Sequence, residues 1–140
     1  MKIICQFIAL VTLLSGSQSN VFSGGETKKY NSGNNVNIAA GKDIYVQCIG
    51  CHSLTYHRTG PKHCGLIGRK VGGVSGFEFT PEMKNSTIIW SRETLNQFLK
   101  DPLEMIPGTS MGFSGIDSEF KRKQLIDYIA TLTTENILCR

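Results

Sequence analysis

Cys48-Ile49-Gly50-Cys51-His52 is the stretch on which the reading of this chain turns. Two thiols three residues apart share one side of a helical turn, so each can add to one vinyl group of a haem. The adjacent His52 is then held beneath the iron as its proximal ligand. Three plainer readings compete. A Cys48–Cys51 disulfide would have no use for His52. A thioredoxin-like pair wants a βαβ setting, and no such alternation occurs. A zinc site borrowing Cys64, His57 or His63 lacks a second well-spaced ligand pair. The spacing therefore favours one covalently bound haem c.

Outward from the motif, helical patterns dominate. Residues 39–47 put Ile44, Tyr45 and Cys48 on one side, which predicts a short helix running into the motif. Thr80-Pro81 reads as an N-cap followed by proline at the first helical position. Ser91 caps a helix with Glu93 in its first turn, carrying Leu95, Phe98 and Leu99 inward and stopping at Asp101-Pro102. Asp117 is expected to cap the last helix, whose apolar stripe is Phe120, Leu125, Ile126, Tyr128, Ile129 and Leu132. Long glycine-rich loops join these pieces, without an internal repeat or a convincing strand. Three to four short helices with such loops bury too little apolar surface to be stable alone. The expected fold is all-α, wrapped around something large and apolar; a haem would fill the centre.

With 140 residues, the chain is sized for one such domain. Residues 3–14 form an uncharged apolar run behind Lys2, and Ser17 and Ser19 supply small residues for cleavage. The run is shorter than the ~20 residues of a bilayer span, so residues 1–19 read as a signal peptide that takes Cys5 with it. Residues 20–37 are polar and glycine-rich, a flexible lead-in. The domain proper covers 38–134, and 135–140 form an extension. Export would place Cys48, Cys51, Cys64 and Cys139 in an oxidising, periplasmic setting; four cysteines allow three pairings. The net charge of +4 is small and dispersed, which argues against nucleic acid as a partner. The one dense cluster, Lys121-Arg122-Lys123, reads as a solvated face.

A second iron ligand has to come from downstream. Met83 and Met105 read as gap-filling core residues. Met111 sits in Pro107-Gly108-Thr109-Ser110-Met111-Gly112-Phe113, where proline and glycines stiffen a loop that can present a thioether at a fixed distance.

At this point the chain resembles class I cytochrome c, in particular the small soluble bacterial cytochromes related to the mitochondrial carrier. The likeness covers about residues 41–132. It rests on Gly41-Lys42 with Tyr45, Cys48 to His52, Thr59-Gly60-Pro61 and Gly65-Leu66-Ile67-Gly68-Arg69. Gly76-Phe77, Ile89-Trp90, Thr94-Leu95, Phe98-Leu99, Pro102, Pro107-Gly108-Thr109 and Leu125-Ile126-Asp127-Tyr128 follow in order.

The resemblance implies a role for each matching position. The Pro61 carbonyl would accept the ring N–H of His52, and Met111 would be the sixth ligand, raising the reduction potential. Arg69 and Trp90 would meet the haem propionates, and Gly41 would let the first and last helices pack closely at Tyr128. Phe79 and Phe98 stand where tyrosine is common, and Met83 where asparagine is, which implies a more apolar pocket. Cys64 and Cys139, both off the family pattern, are candidates for a disulfide. The implied function is one-electron transfer without catalysis, by a monomer shuttling between donor and acceptor redox proteins, such as membrane respiratory complexes. Lys62, Lys70 and Lys100 are candidates for steering acidic partners. The alternatives are a haem protein with an open sixth site for ligand binding or peroxidatic chemistry, a zinc module, or the same carrier membrane-anchored by a retained leader.

Overall fold

The computed structural model describes residues 32–140, so the expected leader, Cys5 and most of the lead-in lie outside the described residues. Within them run α1 (Ser32–Tyr45), α2 (Pro81–Asn85), α3 (Arg92–Lys100), α4 (Pro102–Met105) and α5 (Glu119–Thr131), followed by a 3-10 turn at Ile137–Cys139. Among the described residues no strand forms, and one isolated antiparallel bridge joins Lys70 to Ile89. The helix count exceeds the three to four expected because Asp101 both ends α3 and restarts the chain. Its carboxylate accepts from the N–H groups of Leu103 and Glu104 at 3.1 and 2.9 Å, and Pro102 supplies the first position of α4.

The first helix differs from the expected 39–47. It begins at Ser32, inside the segment read as a flexible lead-in, and ends at Tyr45. Once residues 41–45 are anchored by packing, each further N-terminal residue needs only the small cost of propagation, not of nucleation. Turns follow: Cys48 N–H donates to the Tyr45 carbonyl at 2.8 Å, and Cys51 and His52 N–H both donate to the Cys48 carbonyl.

Caps set the other helices. Thr80 accepts from Met83 N–H ahead of Pro81, as expected. Ser91 caps α3 in a reciprocal pair with Thr94: its hydroxyl accepts from Thr94 N–H at 3.2 Å, and Thr94 Oγ1 accepts from Ser91 N–H at 2.7 Å. For α5 the cap is Ser118, not Asp117; its hydroxyl accepts from Lys121 N–H.

Two expectations for α5 fail for one geometric reason. Phe120 is 66 % exposed, whereas Arg122, read as part of a solvated face, is 5 % exposed. Phe120 and Ile129 are nine residues apart, about two and a half turns, and so lie on opposite sides of the helix. Arg122 is seven residues from Ile129, about two turns, and shares its buried face. Its guanidinium is satisfied there: Nε donates to Asn96 Oδ1 at 2.8 Å, and Nη1 donates to the carbonyls of Ile116 at 2.6 Å and Asp117 at 2.8 Å. Arg122 thus ties α5 to α3 and to the loop that enters it.

Helices α1 and α5 cross at Gly41. A Cβ there would fall 2.7 Å from the Gln124 carbonyl carbon and 2.9 Å from Tyr128 Cβ, so only glycine permits this approach. Tyr45 and Tyr128 then meet edge to face at 5.2 Å. At the far end, a Cys64–Cys139 disulfide, with Cα atoms 5.7 Å apart, joins the C-terminal extension to the loop after the motif.

Candidate haem-binding cleft

One side of this helical frame is open. A cleft there opens to solvent and holds about 1280 Å³ of space when its mouth is included. Its walls are mainly apolar, with Leu66, Phe79, Met83, Leu95, Phe98 and Phe113 prominent. All seven residues singled out in the sequence line it: Cys48, Cys51, His52, Pro61, Arg69, Trp90 and Met111. Met105 packs on the core outside the cleft.

The motif presents its groups from the turn after α1. Cys48 and Cys51 are both free thiols, the first half-buried and the second exposed. Burial, aided by the neighbouring Cys51, pushes the Cys48 thiol up to about 11. His52 Nδ1 donates to the Pro61 carbonyl at 2.7 Å, which leaves Nε2 with its lone pair, the form a metal requires. Burial lowers the basicity of His52 against the opposing pull of that hydrogen bond. The chain passes so close over this ring that a Cβ on Gly60 would lie 2.7 Å from both ring nitrogens. Gly60 N–H in turn donates to the Cys51 carbonyl at 2.7 Å.

Across the sequence, Met111 is half-buried in the cleft wall, with its N–H donating to Thr109 Oγ1 at 3.3 Å. Gly108 holds a φ of +91° in the same loop, a conformation that favours glycine. Arg69 Nη2 donates to the Lys62 carbonyl at 3.0 Å, and burial lowers its basicity. Trp90 is buried with its ring 4.9 Å from that of Phe98. It lines the cleft, and its indole N–H is the one polar group that its side chain can offer there. These features fit a large planar, largely apolar group with acidic substituents. Of the three candidate lysines, Lys70 lines the cleft, and Lys62 and Lys100 do not.

The residues a zinc site would have borrowed are engaged elsewhere. Cys64 is in the disulfide. His57 Nε2 donates to the Ser75 carbonyl at 3.0 Å, and its Nδ1 accepts from Lys62 N–H at 3.2 Å. His63, weighed in the sequence only as a zinc ligand, is the residue whose place in the cleft sequence reasoning missed. It is buried in the cleft wall, stacked on His52 with ring centroids 4.1 Å apart, and hydrogen-bonded through Nδ1 to Tyr45 Oη at 2.8 Å. Burial, with His52 and Arg69 nearby, pushes its imidazole down to about 3. Its place two residues after Pro61 was the only signal in the sequence.

Known proteins fit the same picture. No protein-family model matches the chain. Cytochrome c 2.1 of Caenorhabditis elegans is 40 % identical over 100 residues, which are 69 % of this chain and 90 % of that protein. Cytochrome c2 of Blastochloris viridis is 39 % identical over 94 residues, 65 % of this chain and 74 % of the relative. Among solved structures, cytochrome cH from Methylobacterium extorquens superposes with a TM-score of 0.66 at 36 % identity, over 67 % of this chain and 97 % of that one. A cleft that gathers both thiols, the histidine and the methionine is thus matched by kinship over about two thirds of the chain, and the chain belongs to the class I cytochrome c family, electron carriers with a covalently bound haem c.

Proposed function

We propose that this chain is an exported one-electron carrier in which His52 and Met111 would ligate the haem iron. The observation that carries the reading is the convergence of His52, Met111 and both thiols on one apolar cleft. The haem, when bound, supplies an iron that accepts and gives up a single electron. Cys48 and Cys51 would hold it by thioether bonds, and Pro61 orients His52 by accepting its Nδ1–H. Arg69 and the indole N–H of Trp90 would donate to its propionates. The apolar walls keep water away, so little around the iron reorganises when its charge changes.

With His52 and Met111 both bound to it, the iron would keep no position open to a substrate, and the protein acts as a carrier, not an enzyme. It works as a monomer between a donor and an acceptor redox protein, among which membrane respiratory complexes are the natural setting. Lys70 at the cleft would favour acidic partners. Residues 1–19 direct export to the periplasm and are removed.

Oxidised and reduced optical spectra test the reading, using protein produced alongside a haem-attachment system. A low-spin c-type spectrum with the weak iron–methionine charge-transfer band is expected. A high-spin spectrum with carbon monoxide binding to the reduced protein would establish the open-site alternative. Absence of covalent haem would overturn the proposal. The N-terminus of the mature protein separates a cleaved leader from a retained anchor.

A further inference from the structure

His63 is neither an attachment cysteine nor an iron ligand, yet it is 9 % exposed in the wall of the cleft. An imidazole in an apolar wall is costly unless its nitrogens are hydrogen-bonded. Tyr45, itself 4 % exposed, supplies one such bond at 2.8 Å and sets its ring edge-on to His63 at 5.6 Å. The result is a flat ring held firmly against another flat ring: His63 and His52 are inclined by 26° with centroids 4.1 Å apart.

His52 needs such a support. The torsion that turns an imidazole about its Cβ–Cγ bond is broad, not sharply staggered. The hydrogen bond from Nδ1 to the Pro61 carbonyl fixes one atom of the ring but still lets the ring rock about that contact. A parallel ring stacked on it resists the rocking. The plane of an axial imidazole decides how its π orbitals meet the iron d orbitals, so whatever fixes the plane tunes the iron.

We propose that His63, anchored by Tyr45, is a positioning residue that sets the plane of the His52 imidazole at the haem iron. The inference rests on the reading of His52 as an iron ligand. Leucine would fill the same space with apolar atoms and needs no hydrogen bond, so simple packing and positioning predict different outcomes for one substitution.

The test compares holoprotein carrying His63→Leu, His63→Phe and Tyr45→Phe by electron paramagnetic resonance of the ferric state and by reduction potential. In His63→Leu the low-spin g values should shift and broaden, with a shifted potential. Tyr45→Phe, which leaves the stack but removes its anchor, should move both in the same sense and by less. His63→Phe restores a flat ring and should bring the g values back toward wild type. Wild-type g values and potential in His63→Leu would overturn the proposal. If His63→Leu yields no holoprotein, wild-type values in Tyr45→Phe together with Leu-like loss in His63→Phe would do the same. A wild-type protein without a low-spin ferric signal would overturn the ligand assignment itself, and the proposal with it.

Discussion

Gly41→Ala sets two physical effects of opposite sign against each other. Alanine is the better helix former inside α1, by about 1 kcal/mol, so an isolated helix would gain from the change. The structure places the new methyl 2.7 Å from the Gln124 carbonyl carbon and 2.9 Å from Tyr128 Cβ, about 1 Å inside ordinary contact. These are main-chain atoms of α5 and the root of a buried tyrosine, and none can swing aside. Overpacking of this kind costs about 1–3 kcal/mol, and the rigid partners put this site at the upper end. The net expectation is a loss of about 2 kcal/mol, roughly a thirty-fold fall in the folding equilibrium. Urea unfolding of the holoprotein, followed by far-UV circular dichroism, measures it. A gain of about 1 kcal/mol would mean that propensity alone governs the site, and the close helix crossing would be refuted.

Arg122→Ala leaves the carbonyls of Ile116 and Asp117 without their donor and should cost about 3 kcal/mol in the same assay; Lys123→Ala should stay within about 0.5 kcal/mol. Equal effects would restore the solvated-face reading of this cluster. Phe120→Ser should also fall within about 0.5 kcal/mol, since the ring is exposed; a core-sized loss would show that it packs inward. Replacing Cys64 and Cys139 together by serine releases a crosslink spanning 75 residues. This should lower stability by about 2–4 kcal/mol, and an unchanged urea midpoint would show that the bond does not form. Burial, with His52 and Arg69 nearby, pushes the His63 imidazole of the folded state down from 6.5 to about 3. Between these values the unfolded chain holds the extra proton, so stability rises with pH and falls by up to about 1.4 kcal/mol per unit as pH drops from 6.5 toward 3. Tyr45, His52 and Arg69 face this group; His63→Leu should flatten that acid limb of the stability curve, and an equally steep limb would refute the assignment.

The haem motif and the cleft residues were legible because their chemistry depends on local spacing. Cys48, Cys51 and His52 need no tertiary information to be read together, and the proline and glycines around Met111 mark an unusual loop. Helix starts were legible where a cap was explicit, at Thr80 and Ser91. At Asp117 the neighbouring Ser118 competes for the same task, and the spacing to Lys121 N–H favours it. Phe120 and Arg122 were misread because residue type was weighed above angular position on the helix. His63 was out of reach for a different reason. Its burial depends on Tyr45, 18 residues away, and on a ring from the motif itself, a meeting that only the folded chain arranges.

The disulfide has a consequence for the order in which this molecule is made. The proposed thioether attachment would need Cys48 and Cys51 reduced, whereas Cys64 and Cys139 must be oxidised, in the same chain. Loop closure favours the wrong event, since two thiols three residues apart meet far sooner than two separated by 75. Cys139 follows Cys64 by 75 residues, so the correct bridge forms only after that length of chain is made, while Cys64 stands as a spare nucleophile twelve residues after His52. Biogenesis therefore has to keep three thiols from exchanging until the last one arrives. Once it does, the disulfide withdraws Cys64 from competition and leaves the haem only the two sulfurs it should find.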